Sequence, residues 1–168
     1  MKLAAQFTTK DNTLFFLDGT PLPVTGCPLV SAEDCKGNAL PQTDAKICMV
    51  NLPWSLVGMD EESYNEEFLA AFRDWLKMLE TKQQYAVMVP VTDCPVSDAQ
   101  KADVTASMNH AARRIKDCTS VAGFAIPQGF SPADSDSFIE ELSRKHAQYV
   151  YFSQDNAVLS HNIQIVRY

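Results

Sequence analysis

The stretch "KICMVNLPW", Lys46 to Trp54, decides how the rest of the chain is read. Its nearly continuous apolar run suits a strand buried on both faces, as in a parallel sheet covered by helices. Downstream, Ser63 and Glu66 are spaced as a capping box, and a helix is predicted over 64–80. Phe68, Phe72, Trp75, Leu76 and Leu79 recur at helical spacing and define its buried stripe. "YAVMVPV" (85–91) is the next strand, where Pro90 lacks a backbone donor and marks a bulge or strand end. A helix over 102–117 follows, with Val104, Met108, Ala111, Ala112 and Ile115 inward. "VAGFAI" (121–126) is a third strand, and Ser131-Pro132 with Asp134 leads into a helix over 135–146. "YVYFS" (149–153) and "IQIVRY" (163–168) complete the strands.

Strand–helix–strand units in succession require parallel pairing with right-handed crossovers. The last connection, Gln154 to Asn162, reads as too short for a crossover helix. The final strand is therefore expected to turn back antiparallel or to pair elsewhere. Upstream, "TLFFLDGTPLPV" (13–24) has a turn signal at Asp18-Gly19 between two apolar segments and suggests a β-hairpin. Residues 26–44 are rich in Pro, Gly, Asp and Cys and read as a long loop or irregular cap. The expectation is one α/β domain over 1–168, with hairpin and loop in 1–45 and βα units in 46–168.

Composition narrows the partners. With 46% apolar residues the chain can build a core, and a net charge of -7 opposes binding to phosphate backbones, so no nucleic-acid partner is expected. The one basic cluster, "ARRIK", falls on a predicted amphipathic helix and reads as a solvated face. No run approaches the roughly 20 apolar residues of a membrane span. The reading is a soluble, cytoplasmic-type chain, secreted if a leader precedes it. The cysteines, Cys27, Cys35, Cys48, Cys94 and Cys118, are odd in number and lack a CxxC pair, which argues against a disulfide framework or a zinc site. Cys48, within a strand, reads as a small core residue, and no metal or cofactor is implied.

In parallel α/β sheets ligands collect at the carboxyl ends of strands. Those ends carry Asn51, Pro53 and Trp54, then Thr92, Asp93 and Cys94, then Pro127, Gln128 and Gly129, then Ser153, Gln154 and Asp155. Trp54 could stack on a flat sugar face or plug the sheet end, and Asp93 could be a ligand contact or cap a turn before Pro95. The chain has no GxSxG elbow, GxGxxG turn, GxxxxGK[ST] loop or HExxH helix.

Three stretches together resemble the cellulase-like (β/α)8-barrel glycoside hydrolases. "FFLDGTPLPVTG" (15–26) is similar to the hairpin that precedes the barrel in that family. Residues 51–91, from "NLPWSLV" to "YAVMVPV", resemble its first β/α units, and "MNHAARRIKDCTSVAGFAIPQGF" (108–130) the segment leading to its fourth barrel strand. The resemblance implies a TIM-barrel-like fold, reduced or incomplete because 168 residues fall short of the roughly 250 of a closed eightfold barrel. It also implies a carbohydrate ligand. In the family that fourth strand ends in Asn-Glu, and the Glu is the general acid/base; here the matching residues are Pro127-Gln128-Gly129. A carboxamide cannot donate and recover a proton at the glycosidic oxygen. A second carboxylate from a late strand is also required, and the chain stops short of such a strand.

The expectation is thus a non-catalytic or degenerate relative that binds carbohydrate through Trp54, Asp93 and Gln128. A homodimeric assembly domain without a small-molecule site is the alternative, since an incomplete barrel leaves sheet edges to be covered. An active hydrolase stands third and would rely on Asp93 paired with Asp155 or Glu33.

Overall fold

The computed structural model describes residues 2–168. Strands β1 (Phe7–Lys10) and β2 (Thr13–Phe16) form an antiparallel hairpin. A six-stranded sheet follows, built from β3 (Leu29–Ser31), β4 (Ile47–Pro53), β5 (Tyr85–Val91), β6 (Val121–Ala125), β7 (Val150–Ser153) and β8 (Val166–Arg167). These strands lie side by side in chain order and every neighbouring pair is parallel. Right-handed crossovers that always step the same way put every connecting helix on one face. That face carries α1 (Trp54–Val57), α2 (Glu66–Thr81), α3 (Asp98–Arg114), α4 (Pro132–Ser143) and α5 (Asn156–His161).

Strand alternation divides the core in two. Along β4, Cys48, Val50 and Leu52 join the helix-side cluster with Phe72, Trp75, Leu76, Met108 and Phe138. Ile47 and Met49 point the other way, into a second cluster closed by Phe7, Leu14, Leu22 and Val24 of the N-terminal region. The hairpin sits under the amino-terminal ends of the strands, where the Phe7 ring meets Tyr85, the first residue of β5, at 5.0 Å. At Gly123 the sheet tolerates no side chain, because a Cβ there would lie 1.7 Å from the Val150 carbonyl oxygen of β7.

Several expectations change. The hairpin lies one strand earlier than predicted, because Asp11 and Asn12 both adopt left-handed φ (49° and 59°) and make the tight turn. The Asp18-Gly19 turn also forms, and folds Leu22 N–H back onto the Leu14 carbonyl at 2.9 Å as a third limb. Within the stretch read as loop, Leu29–Ser31 forms the edge strand β3, paired with Met49–Asn51. The last strand is parallel to β7, not antiparallel. Because β8 is only Val166–Arg167, the preceding connection is long enough to cross over with α5 inside it. Helix α2 is capped by Asn65, whose side chain accepts from Phe68 N–H, not by Ser63. Helices α3 and α4 begin earlier than predicted, each behind a capping box, Ser97 with Gln100 and Ser131 with Asp134. The irregularity in β5 falls between Ala86 and Val87, and pairing with β6 ends at Met88, two residues before Pro90.

The cysteines carry no disulfide among the described residues. Burial pushes the Cys35, Cys48 and Cys118 thiols up to about 12, so they act as core groups. No helix among the described residues is long and apolar enough to cross a membrane.

Candidate functional site

The carboxyl ends of the strands enclose a cleft of about 460 Å³. Asn51 near the end of β4, Thr92 after β5, Gln128 after β6, and Ser153, Gln154 and Asp155 at the end of β7 supply its polar lining. Leu29 of edge strand β3 and Tyr168, just beyond β8, also face it. Both terminal strands therefore reach one cleft, so the sheet is curled, although β3 and β8 do not pair and the barrel stays open.

The chemistry of the lining is mostly neutral. The side chains of Asn51, Gln128 and Gln154 have no hydrogen-bond partner among the described residues and keep both donor and acceptor free. Asp155 is the one carboxylate in the lining, and it already caps α5: its Oδ1 accepts from Ala157 N–H at 2.8 Å. Its own N–H donates to Ser153 Oγ at 3.0 Å, which fixes the turn that leaves β7.

Of the three contacts expected from sequence, Gln128 lines the cleft, exposed in the turn after β6. Trp54 does not. It is 6% exposed, packs in the helix-side core, and its indole N–H donates to Ser107 Oγ at 3.0 Å. Ser107 in turn donates to the Gly58 carbonyl at 2.7 Å. The reason is parity: Trp54 falls on the same side of the chain as Cys48, Val50 and Leu52, while Asn51 shares the inner side with Ile47 and Met49. Asp93 is exposed next to Thr92 but outside the lining, and Glu33 is exposed in a single 3₁₀ turn (Ala32–Asp34) after β3. The carboxylate pairs Asp93–Asp155 and Asp93–Glu33 are not brought together in the cleft. Leu29 and Tyr168 carried no signal of their own, since β3 was hidden in an irregular stretch and Tyr168 follows a two-residue strand.

A larger groove, about 920 Å³, lies on the helix side and includes Lys101, Asp134, Tyr64, Glu66 and His110. Several of its charges are held in ion pairs. Lys101 Nζ is 2.7 Å from Asp134 and 3.0 Å from Asp98, which raises the lysine. Hydrogen bonds from Lys101 and from the Ser131 backbone hold the Asp134 carboxyl below its ordinary range. Partial burial alone would raise Glu66, but bonds from Arg114 (2.6 Å) and His110 (2.8 Å) outweigh it and lower the carboxyl. The His110 ring stacks on Tyr64 at 3.9 Å. These contacts tie the loop before α2 to α3. The strand-end cleft differs in chemistry: its lining is mostly uncharged, with three carboxamides that have no partner among the described residues.

No family model matches the chain, and no curated protein matches it by sequence. Solved structures do match its fold. An endogalactoceramidase superposes with a TM-score of 0.64 at 10% identity, over 89% of this chain and 53% of that one. A glycoside hydrolase family 5 structure from Bacteroides vulgatus gives 0.56 at 12% identity, over 91% of this chain and 41% of that one. A GH5_18 from Streptomyces cattleya, in complex with GlcNAc, gives 0.50 at 5% identity, over 66% and 35%. The chain thus spans about half or less of the length of these structures, and within that span it has the fold of cellulase-like glycoside hydrolases. In sheet order β6 is the fourth strand, so Gln128 follows the strand from which the resemblance expected the acid/base.

Proposed function

We propose that this chain binds a carbohydrate, or a polar ligand with similarly spaced hydroxyls, in the strand-end cleft and does so without hydrolysing it. The observation that carries the reading is the convergence of Asn51, Gln128 and Gln154, three free carboxamides from three different strands. Each amide holds a donor and an acceptor side by side, the complement of two adjacent sugar hydroxyls. Catalysis would need a proton-donating carboxyl and a second carboxylate roughly 5–10 Å away. The lining offers one carboxylate side chain, Asp155, and one of its oxygens already accepts a hydrogen bond at the start of α5.

Calorimetric titration with a panel of neutral oligosaccharides tests the reading. A ligand from the panel should lose about tenfold in affinity with Asn51→Ala or Gln128→Ala, the worth of one or two hydrogen bonds. Absence of binding across the panel, or binding indifferent to both substitutions, rejects it. Measurable hydrolysis that disappears with Asp93→Asn or Asp155→Asn would replace it with the enzyme reading.

A homodimer is the second reading, favoured by one observation. Edge strand β3 has no strand on its outer side, and Leu29 there is 62% exposed. Two copies could pair these edges about a twofold axis. A single monomeric species in light scattering at hundreds of micromolar would dismiss it.

A further inference from the structure

We infer that Asn12, at the far end of the sheet, is a positioning residue for the cleft wall built by α5 and β8. The part of this inference that concerns ligand affinity rests on the carbohydrate-binding reading above.

The wall cannot seat itself. Helix α5 has six residues and β8 two, and β8 holds to β7 through only two register pairs. Helices this short have no stability of their own. Yet this segment carries Val158 and Tyr168 into the cleft and ends the turn that presents Asp155. Its apolar anchors are Val158, Leu159, Ile165 and Val166, all buried. Two exposed side-chain contacts, Thr9 with Gln164 at 2.7 Å and His161 with Asp136 at 2.8 Å, tie it down at single points; the residue that gathers its backbone groups lies about 150 positions away in the chain.

Asn12 takes up five backbone groups of that segment. Its Nδ2 lies 2.6 Å from the Ile165 carbonyl, 3.2 Å from that of Leu159 and 3.4 Å from that of Asn162. Its backbone N–H donates to the Ile163 carbonyl at 2.9 Å, and its carbonyl accepts from Arg167 N–H at 3.0 Å. Three carbonyls facing one side chain demand a donor, which an amide nitrogen supplies and a carboxylate does not. The residue is itself held rigidly: it forms the left-handed turn of a hairpin whose Phe7 and Leu14 are locked under the sheet. These bonds also occupy the outer side of β8, so this sheet edge is closed while β3 is open.

Two substitutions separate the side chain from the turn. Asn12→Gly keeps the left-handed backbone and its two hydrogen bonds but removes the three made by Nδ2. Asn12→Asp keeps the shape and sets a carboxylate against three carbonyl oxygens. Hydrogen exchange read by mass spectrometry on the whole chain should rise in residues 157–168 by about tenfold or more in Asn12→Asp, and by less in Asn12→Gly. Helices α2 and α3 should keep their protection. Nitration of Tyr168 by tetranitromethane, mapped by peptide, should accelerate in the same order.

Unchanged exchange and nitration in both variants would overturn the inference, and so would a rise spread evenly over the whole chain. Where a panel sugar binds the unsubstituted chain, Asn12→Asp should weaken it about tenfold, with Asn12→Gly between. Full affinity alongside a loosened 157–168 would show that the latch does not set the cleft, and would overturn the positioning role. If no sugar binds the unsubstituted chain, the carbohydrate reading fails by itself, and exchange and nitration still decide the latch.

Discussion

At the amino-terminal ends of the strands the sheet meets Phe7, Leu14, Leu22 and Val24, all buried, and Asn12, whose hydrogen bonds all go to the α5–β8 segment. At the carboxyl ends the same strands meet Asn51, Gln128 and Gln154, whose amides have no partner among the described residues. One end has its apolar surface covered and its Asn12 bonded within the chain; the other keeps hydrogen-bonding capacity open to solvent. Free energy of folding therefore gathers at the hairpin end, and free energy of binding is available at the cleft end. That division is what a parallel sheet of βα units permits, because loops at the carboxyl ends can vary without disturbing the core.

The substitution with the largest expected effect breaks both ends together. Gly123→Ala would set a Cβ 1.7 Å from the Val150 carbonyl oxygen, and backbone cannot yield as a flexible side chain can. Strands β6 and β7 would have to separate, at a cost above about 3 kcal/mol. Chemical denaturation should find the variant largely unfolded or stripped of its cooperative transition; a midpoint close to the parent's would mean the pair is looser than it stands. Next comes the hairpin end alone. Leu14 is fully buried, and Leu14→Ala should cost about 2–5 kcal/mol by lost transfer and the cavity left behind. A cost below about 1 kcal/mol, read from urea midpoints, would mean that the hairpin is an appendage and not part of the core.

The contrast between the ends was only half legible in the sequence. Helical spacing identified Phe68, Phe72, Trp75, Leu76 and Leu79, and the structure packs them as one stripe. The strand-end rule likewise identified Asn51, Thr92, Gln128, Ser153, Gln154 and Asp155, which do line one cleft. Trp54 stayed open between stacking on a ligand and packing at the sheet end, because closeness to a strand end says nothing about which face a side chain takes; it packs. Period-two parity from Cys48 to Trp54 held that information, but only the packing of the helices shows which parity is covered. Strand β3 and the Asp11-Asn12 turn were obscured for a different reason. Three residues give too little alternation to see, and their pairing partners, Met49–Asn51 and the α5–β8 segment, lie far along the chain.

Acid should act on the hairpin end before the cleft end. His146, just before β7, is 3% exposed, and its Nε2 has no partner among the described residues. Burial pushes its pKa below the ordinary 6.5, and Lys116, Lys145, Arg113 and Lys2 push the same way. Above pH 6.5 the ring is neutral both folded and unfolded, and stability is at its full value. As pH falls below that, the unfolded chain takes up a proton that the folded chain resists, so stability declines until the folded ring also protonates. Carboxylates held low, Asp117 by Arg73 first of all, lose their contribution only in more acid solution. Urea midpoints between pH 7 and 5 should fall for the parent and flatten for His146→Gln. Parallel slopes in the two proteins would assign the acid sensitivity elsewhere.

The smallest expected effect is the sharpest test of the division. Gln128 is exposed in the turn after β6 and makes no side-chain hydrogen bond among the described residues. Gln128→Ala should therefore change stability by no more than about 0.5 kcal/mol, the scale of an ordinary surface substitution. Asn12→Ala, also a carboxamide lost to a methyl group, should cost several times as much, since it removes the side-chain donor to the Ile165 and Leu159 carbonyls and puts an alanine, less tolerant than asparagine, at a left-handed φ. Both substitutions remove one carboxamide, and Gln128 loses the larger side chain, so a greater cost at Asn12 reflects position. Denaturation of the two variants side by side measures it directly. Equal costs would mean that Gln128 holds structure at the carboxyl end, and the cleft would then no longer be a place where hydrogen bonds are kept free for a ligand.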